Sequence, residues 1–289
     1  MKPEAALKAV EIAYGEPGHA RQTDSDAAVT QAMEAGRIAV TEDAGLLIQS
    51  GLIDVVIDAT GVPAVGAEIG LRAMEHGKHA ASEIPAALTL EECWQLVETS
   101  ERTRQHFMML ENVCYDFFEM VTLNMAREGF LGEIIHGEGA YIHQLLGSYF
   151  SGRRGPDQWR LHQNIDRNGN LYAQHGLGPI AKIMDLNYGD QMDYLVSMSS
   201  GDFSMGARAR ELAEEDSFWE PFVGRDYRGN MNTSIIRTHR GRTIMLQHDT
   251  SSPRPYSRIH LVSGTEGIAR KWPEPARIAT SHDGWLPEE

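Results

Sequence analysis

Cysteine is nearly absent: Cys93 and Cys114 are the only two, and neither sits in a CxxC or Cys/His spacing. That excludes a disulfide framework and speaks against a structural zinc site. His248-Asp249 and His260 lack a third ligand at metal spacing, so no metal is expected. No apolar run approaches the ~18 residues of a membrane span. The start, Met1-Lys2-Pro3-Glu4, has no basic stretch leading into an apolar core, so as written the chain is expected in the cytoplasm. Positive charge is scarce too: 26 basic residues face 41 acidic ones, for a formal charge of −15. That excludes a binder of the nucleic-acid backbone. Also missing is the strand–GxGxxG–helix signature of a dinucleotide site. Gly176-Leu177-Gly178-Pro179-Ile180-Ala181 matches it by letters, but follows no strong strand and carries a proline in the turn.

What is present is an ordinary globular composition, 289 residues with 42% hydrophobic and 23% charged, enough for two domains. The first half alternates helices and strands. Ala5 to Tyr14 reads as an Ala-rich helix stopped by Gly15-Glu16-Pro17-Gly18. Asp24 to Gly36 reads as a second helix, capped by Asp24 or Ser25 and ended by Gly36. The β-branched run Ile53 to Thr60 predicts a strand buried on both faces of a parallel sheet. Ala64 to His76 is then a helix closed by Gly77. Thr89 and Glu92 form a capping box, followed by one apolar stripe of Leu90, Cys93, Trp94 and Val97. Phe107 to Leu110 is another short buried strand. This rhythm is that of a partial doubly wound, Rossmann-like sheet over residues 1–115.

After residue 115 the rhythm changes. Phe117, Val121 and Met125 mark a helix closed near Gly129. Period-two strands follow at Glu133 to His143, Tyr194 to Ser199, Asn232 to His239, Arg242 to Thr250 and Arg258 to Ser263. His239-Arg240-Gly241-Arg242 forms a hairpin connection. Residues 116–289 are therefore an α+β domain with a large, mainly antiparallel sheet, and the active cleft is expected between the domains. The broad face of that sheet needs covering, which predicts a homo-oligomer.

The densest chemistry is Asn168 to Pro179. Tyr172 and His175 are three apart and share a face if the segment is a helical turn. They are natural proton-transfer partners, since His titrates near neutrality and a phenol can donate or accept. Gly176 would let a ligand approach closely. The plain alternative is a polar loop before a helix whose first residue is Pro179. Tyr141 and His143 share a strand face with Gly137 and Gly139, which leaves room for a ligand or makes a solvent-facing strip. Trp159-Arg160 could stack on and hydrogen-bond a sugar. The rigid turn Ser252-Pro253-Arg254-Pro255 fixes Tyr256, for binding or only for structure.

Several of these segments resemble the glucose-fructose oxidoreductase/inositol dehydrogenase superfamily, and within it the NAD-dependent glycosidases of glycoside hydrolase family 109. They are Glu83-Ile84-Pro85-Ala86-Ala87 with Thr89 to Trp94, Met109 to Tyr115, Leu123-Asn124-Met125 and Gly132 to Gly139. Asn168 to Pro179, Gly241 to Met245 and Ser252 to His260 complete the set, over roughly residues 80–289. Val40 to His79 looks more like an oxidoreductase family related to homoserine dehydrogenase. The chain is expected to begin inside the first helix of a dinucleotide domain.

The resemblance implies cleavage of α-N-acetylgalactosaminides in small molecules or at glycan ends, by oxidation, elimination, addition and reduction on a retained NAD. It makes His175 and Tyr172 the groups at the reacting carbons, Tyr141 and Tyr256 sugar-contacting and proton-transferring, and Arg160 substrate-binding. Glu83 and Asn112 would lie near the nicotinamide and its ribose. The superfamily's sugar dehydrogenases carry a lysine where Ile84 stands, as a hydrophobic residue does in the glycosidase branch. The rival readings are a net sugar or polyol dehydrogenase and a catalytically incomplete member. Family members are often exported.

Overall fold

The computed structural model describes residues 20–22, 26–36, 38–41, 43–151, 159–165 and 167–287. The expected helix Ala5 to Tyr14, its stop at Gly15 to Gly18, and the caps Asp24 and Ser25 lie outside them. The chain divides into two compact units, Met1–Leu110 and Glu111–Glu289.

The first unit is α/β. Strands β1 (Ala20–Gln22) and β2 (Ile38–Val40) pair in parallel, and β3 (Val55–Asp58), β4 (His79–Ser82) and β5 (Phe107–Met109) form a second, three-stranded parallel sheet. Helices Pro63–Glu75 and Leu90–Thr103 connect its strands. The expected capping box is made: Glu92 N–H donates to Thr89 Oγ1 at 3.1 Å and Thr89 N–H to Glu92 Oε2 at 2.9 Å. Two expectations are corrected. Val55 and Ile57 on β3 and Met108 on β5 are exposed, so these strands are buried on one face only. Both helices pack on the other face, around Val56, Ala67, Ala80, Leu96 and Phe107. The stripe Leu90, Cys93, Trp94 and Val97 is exposed as well, because the helix turns Leu96 and Thr99 inward instead.

The second unit is built on a seven-stranded sheet in the order β12-β11-β10-β6-β9-β8-β7. Its strands are β6 (Ile134–Ile142), β7 (Met192–Ser199), β8 (Met231–Thr238), β9 (Thr243–Asp249), β10 (His260–Gly264), β11 (Ile268–Lys271) and β12 (Arg277–Ala279). Every pairing is antiparallel except that of β6 with β9, which is parallel. The β8–β9 hairpin falls where expected. Beneath β6 runs the helix Gln174–Ile183, and its Ile180 and Ile183 join Leu123, Leu131, Ile244, Leu246 and Val262 in the core. A second core under helix Met205–Glu215 gathers Tyr149, Leu161, Trp219 and Tyr227. Beside it Arg228 is almost fully buried, with donors engaged by Asn164, Thr250 and the carbonyls of Gly229 and Asn230. In helix Phe117–Arg127 the buried positions are Phe118, Glu119, Thr122 and Leu123, while Phe117 faces solvent, one position round from the expected face.

Two glycines set the helix on the sheet. A Cβ at Gly139 would lie 2.3 Å from the Gly176 carbonyl oxygen, and one at Gly176 would lie 2.5 Å from the Ala140 nitrogen. Backbone cannot yield as a side chain can. Gly139→Ala is therefore expected to cost about 2–3 kcal/mol, read as a lowered urea midpoint with an unchanged slope.

Candidate functional site

The close approach at Gly139 and Gly176 dictates what lies beside it. Tyr141 is the next residue of β6 on Gly139's face, and His175 directly precedes Gly176. Their rings sit 5.0 Å apart. The glycines thus admit the helix, not a ligand: Gly137 opposes Ile180, and Gly176 opposes the β6 backbone. The helix begins at Gln174, so Pro179 is interior and not its first residue. The letters Gly176 to Ala181 lie inside that helix and form no phosphate loop. Tyr172 precedes the helix, yet its ring stacks on Tyr141 at 4.9 Å and lies 5.6 Å from His175. Its backbone N–H donates to Asn170 Oδ1 at 3.0 Å, which fixes the turn.

His175 is paired with a residue that the sequence reading passed over. Its Nδ1 lies 2.9 Å from Glu111 Oε1, and the same oxygen accepts the Val113 N–H at 2.9 Å. A carboxylate accepting two donors makes Nδ1 the protonated nitrogen and leaves the lone pair on Nε2. Glu111 is buried, and its Oε2 has no partner among the described residues. The His175 side chain keeps 11% of its surface exposed, so the imidazole is embedded but not sealed. Gly178 makes the pairing possible, since a Cβ there would meet Glu111 Cγ and Cys114 Sγ at 2.9 Å. Burial pushes the Cys114 thiol up to about 11, which leaves it unreactive. The available signal was an acid two residues after β5 in the Met109 to Tyr115 segment. Its partner, 64 residues away, was not readable from spacing.

Phenols and imidazoles extend the cluster. Tyr141 Oη is 3.1 Å from His143 Nδ1. The His143 ring meets Tyr256 edge-on at 5.1 Å. Arg258 Nε donates to the Tyr256 hydroxyl, and its guanidinium pairs with Asp116 at 3.2 Å. Burial, reinforced by the neighbouring phenols of Tyr149, Tyr172 and Tyr256, holds the Tyr141 hydroxyl far above its ordinary value, with Arg160 opposing. Tyr141 therefore stays a neutral donor. His248 pairs with Tyr141 across the β6–β9 register, and burial followed by the Arg228 charge keeps it neutral.

The structure thus brings together Tyr141, Tyr172 and His175, with Tyr256 joined through His143. Arg160, in helix Trp159–Gln163, lies over the neighbouring Trp159 ring at 4.3 Å and reaches Tyr141 through its charge. Glu83 is exposed at the end of β4 in the first unit, and Asn112 is exposed in the short 3-10 turn Asn112–Tyr115 of the second. Among the described residues no three His, Cys, Asp or Glu side chains converge as metal ligands would.

The chain matches the family profile for the C-terminal domain of glycosyl hydrolase 109 over residues 115–286. An α-N-acetylgalactosaminidase of Bacteroides fragilis is 50% identical over 220 residues, 75% of this chain and 51% of that protein. One of Shewanella oneidensis is 46% identical over 219 residues, 76% of this chain and 47% of that protein. The chain spans about half the length of these relatives. Among solved structures, a levoglucosan dehydrogenase in complex with NADH and L-sorbose superposes with TM-score 0.65 at 20% identity, over 92% of this chain and 69% of that one. Scyllo-inositol dehydrogenase from Lactobacillus casei, with bound NAD(H) and scyllo-inositol, gives 0.61 at 15% identity, over 99% and 79%. At such identities the likeness concerns the fold, which is the one expected from the sequence.

Next to the site, burial and then the Lys271 charge depress His260 to about 3. The unfolded chain takes up this proton near pH 6.5 and the folded one does not, so stability is full above ~6.5 and falls by roughly 1.4 kcal/mol per unit towards pH 3. His260→Gln is expected to lose about 3 kcal/mol less than the parent between pH 7 and pH 4, by urea unfolding.

Proposed function

Because the chain belongs to glycosyl hydrolase family 109, we propose that its Glu111–Glu289 unit binds the terminal sugar of α-N-acetylgalactosaminides and carries the proton transfers of their cleavage. The observation that carries this reading is the Glu111–His175 pair set against the Tyr141–Tyr172 stack. Instead of the two carboxylates that flank the bond in ordinary glycosidases, this cluster offers an imidazole and phenols. The substrate class rests on the names of the relatives.

In this reading His175 takes up and returns a sugar proton at Nε2. Glu111 fixes the tautomer and stabilises the imidazolium that forms. Tyr141, kept neutral, donates a hydrogen bond to a sugar oxygen. Tyr256, with Arg258 donating to its oxygen, supplies a second phenol, and Arg160 a cation for orienting the substrate.

NAD is the coenzyme that the family resemblance calls for, and when bound it supplies hydride transfer. The described residues do not fit its pyrophosphate. The parallel strands of the first unit lie in two separate sheets, and among those residues no glycine-rich turn leads from a strand into a helix N-terminus as such a cradle requires. The helix after β3 opens instead on Val62 with Pro63 at its first position. No step is therefore routed through the coenzyme.

The test is p-nitrophenyl α-N-acetylgalactosaminide with and without added NAD. Nitrophenol release without accumulating NADH is expected. NADH build-up with free sugars would instead identify a dehydrogenase, and the absence of both sugar binding and nitrophenol release would overturn the reading. His175→Ala should lower turnover by ~10²-fold or more with sugar affinity changed only a few-fold. Glu111→Gln should lower kcat by ~10-fold or more at constant KM and shift the pH profile.

A further inference from the structure

The stretch that carries Arg160 and Tyr172 has little regular structure of its own. It holds the five-residue helix Trp159–Gln163 and then, among the described residues, turns and loop as far as Gln174. What docks it is the segment Tyr227 to Gly229. Ile165 makes an isolated antiparallel bridge with Tyr227. The Arg228 N–H donates to the Asn164 carbonyl at 3.0 Å, and the Gly229 N–H to Asn168 Oδ1 at 3.2 Å. The Asn164 side chain works in both directions along this contact: its Nδ2 donates to the Arg160 carbonyl at 2.6 Å, and its Oδ1 accepts from Arg228 Nε.

The same guanidinium reaches the end of β9. Its Nη2 donates to Thr250 Oγ1, and its Nη1 to the carbonyls of Gly229 and Asn230 at 2.8 and 3.3 Å. Thr250 directly follows β9, two residues beyond His248, whose ring stacks on Tyr141 at 6.2 Å. The Tyr149 hydroxyl lies against both Thr250 and Arg228, in the field of Arg160. One side chain thus ties three stretches of chain: the turn at Asn164, the approach to β8 and the exit from β9.

Such a side chain is costly to keep. Arg228 is 1% exposed, its hydrogen-bond partners are all neutral, and burial works against its charge while Tyr149, Asp249 and Asp202 favour it. A packed apolar side chain of similar volume would avoid that desolvation. It could not hold three separate stretches at fixed spacing, and neither could lysine, a point charge without a planar fork.

We infer that Arg228 is a positioning residue: through Asn164 and Thr250 it holds Arg160 and Tyr172 in place beside Tyr141, without itself touching a ligand. The inference rests on the proposed function only in taking those three as the sugar-facing groups.

Arg228→Lys, which keeps the charge and loses the fork, tests it by two readouts. Hydrogen exchange needs no substrate: the amides of Asn164, Ile165 and Tyr172 should exchange ~10-fold faster or more, with those of Ile236 and Leu246 in the sheet unchanged. With p-nitrophenyl α-N-acetylgalactosaminide, kcat/KM should fall by ~10²-fold, but by less than ~2-fold where Arg160→Ala and Tyr172→Ala are already present. Should Arg228→Lys fail to fold, Thr250→Val, which keeps the shape and removes one acceptor, is read in the same way. Uniformly faster exchange across the sheet, an unchanged Tyr172 amide, or an undiminished loss in the Arg160→Ala, Tyr172→Ala background would overturn the inference. If the parent neither binds nor cleaves the sugar, the functional reading falls and exchange alone decides this one.

Discussion

Everything in the candidate site follows from one contact between two stretches of main chain. Gly139 and Gly176 let the helix Gln174–Ile183 lie on β6 with no side chain between them. A helix held one side chain further off would leave His175 out of reach of Tyr141 and out of line with Glu111. Three anchors hold the approach: Ile180 against Gly137, the Gly176 backbone against Gly139, and Gly178 against Glu111 and Cys114. The imidazole is therefore positioned by packing at its back and by one carboxylate at its side, an arrangement that leaves it little rotational freedom.

The electrostatics around that contact are divided. Close to the β-sheet, burial keeps His248 and His260 neutral, and Tyr141 remains a phenol. Towards helix Phe117–Arg127, charges are matched in a chain: Tyr256 to Arg258, Arg258 to Asp116, and Lys271 shared between Asp116 and Glu119. Tyr256 and His175 thus sit at opposite ends of the cluster, one backed by cations and the other by an anion.

Much of this could be read from the residues. Period-two runs placed β6, β7, β8 and β9, and the capping box placed the start of helix Leu90–Thr103. Tyr172 and His175 do lie side by side, with rings 5.6 Å apart, although Tyr172 reaches Tyr141 from a turn and not from a helical face. The errors have a common cause: a pattern gives the period of an apolar face but not which neighbour covers it. Leu90, Trp94 and Val97 have helical spacing and lie outside, and Val55 and Ile57 look like core while no helix of the described residues lies over them. Glycines misled in the same way, since room beside a small residue was taken by the protein's own backbone. Glu111 was hidden because its meaning depends on a histidine distant in sequence.

The parallel pairing of β6 with β9 has a consequence for how the molecule comes into being. β6 is the first strand of its sheet, but both of its neighbours, β9 and β10, arrive late; His136 meets Thr243 across a separation of 107 residues. Hairpins such as β8–β9 can close as soon as they are made, whereas β6 must wait for a long loop to shut, the slow step in chains rich in distant contacts. Tyr141 therefore precedes its sheet neighbours along the chain and acquires its surroundings only once β9 and β10 have been made. Until then the chain carries Glu111, Tyr141, Tyr172 and His175 without the strands that complete their surroundings.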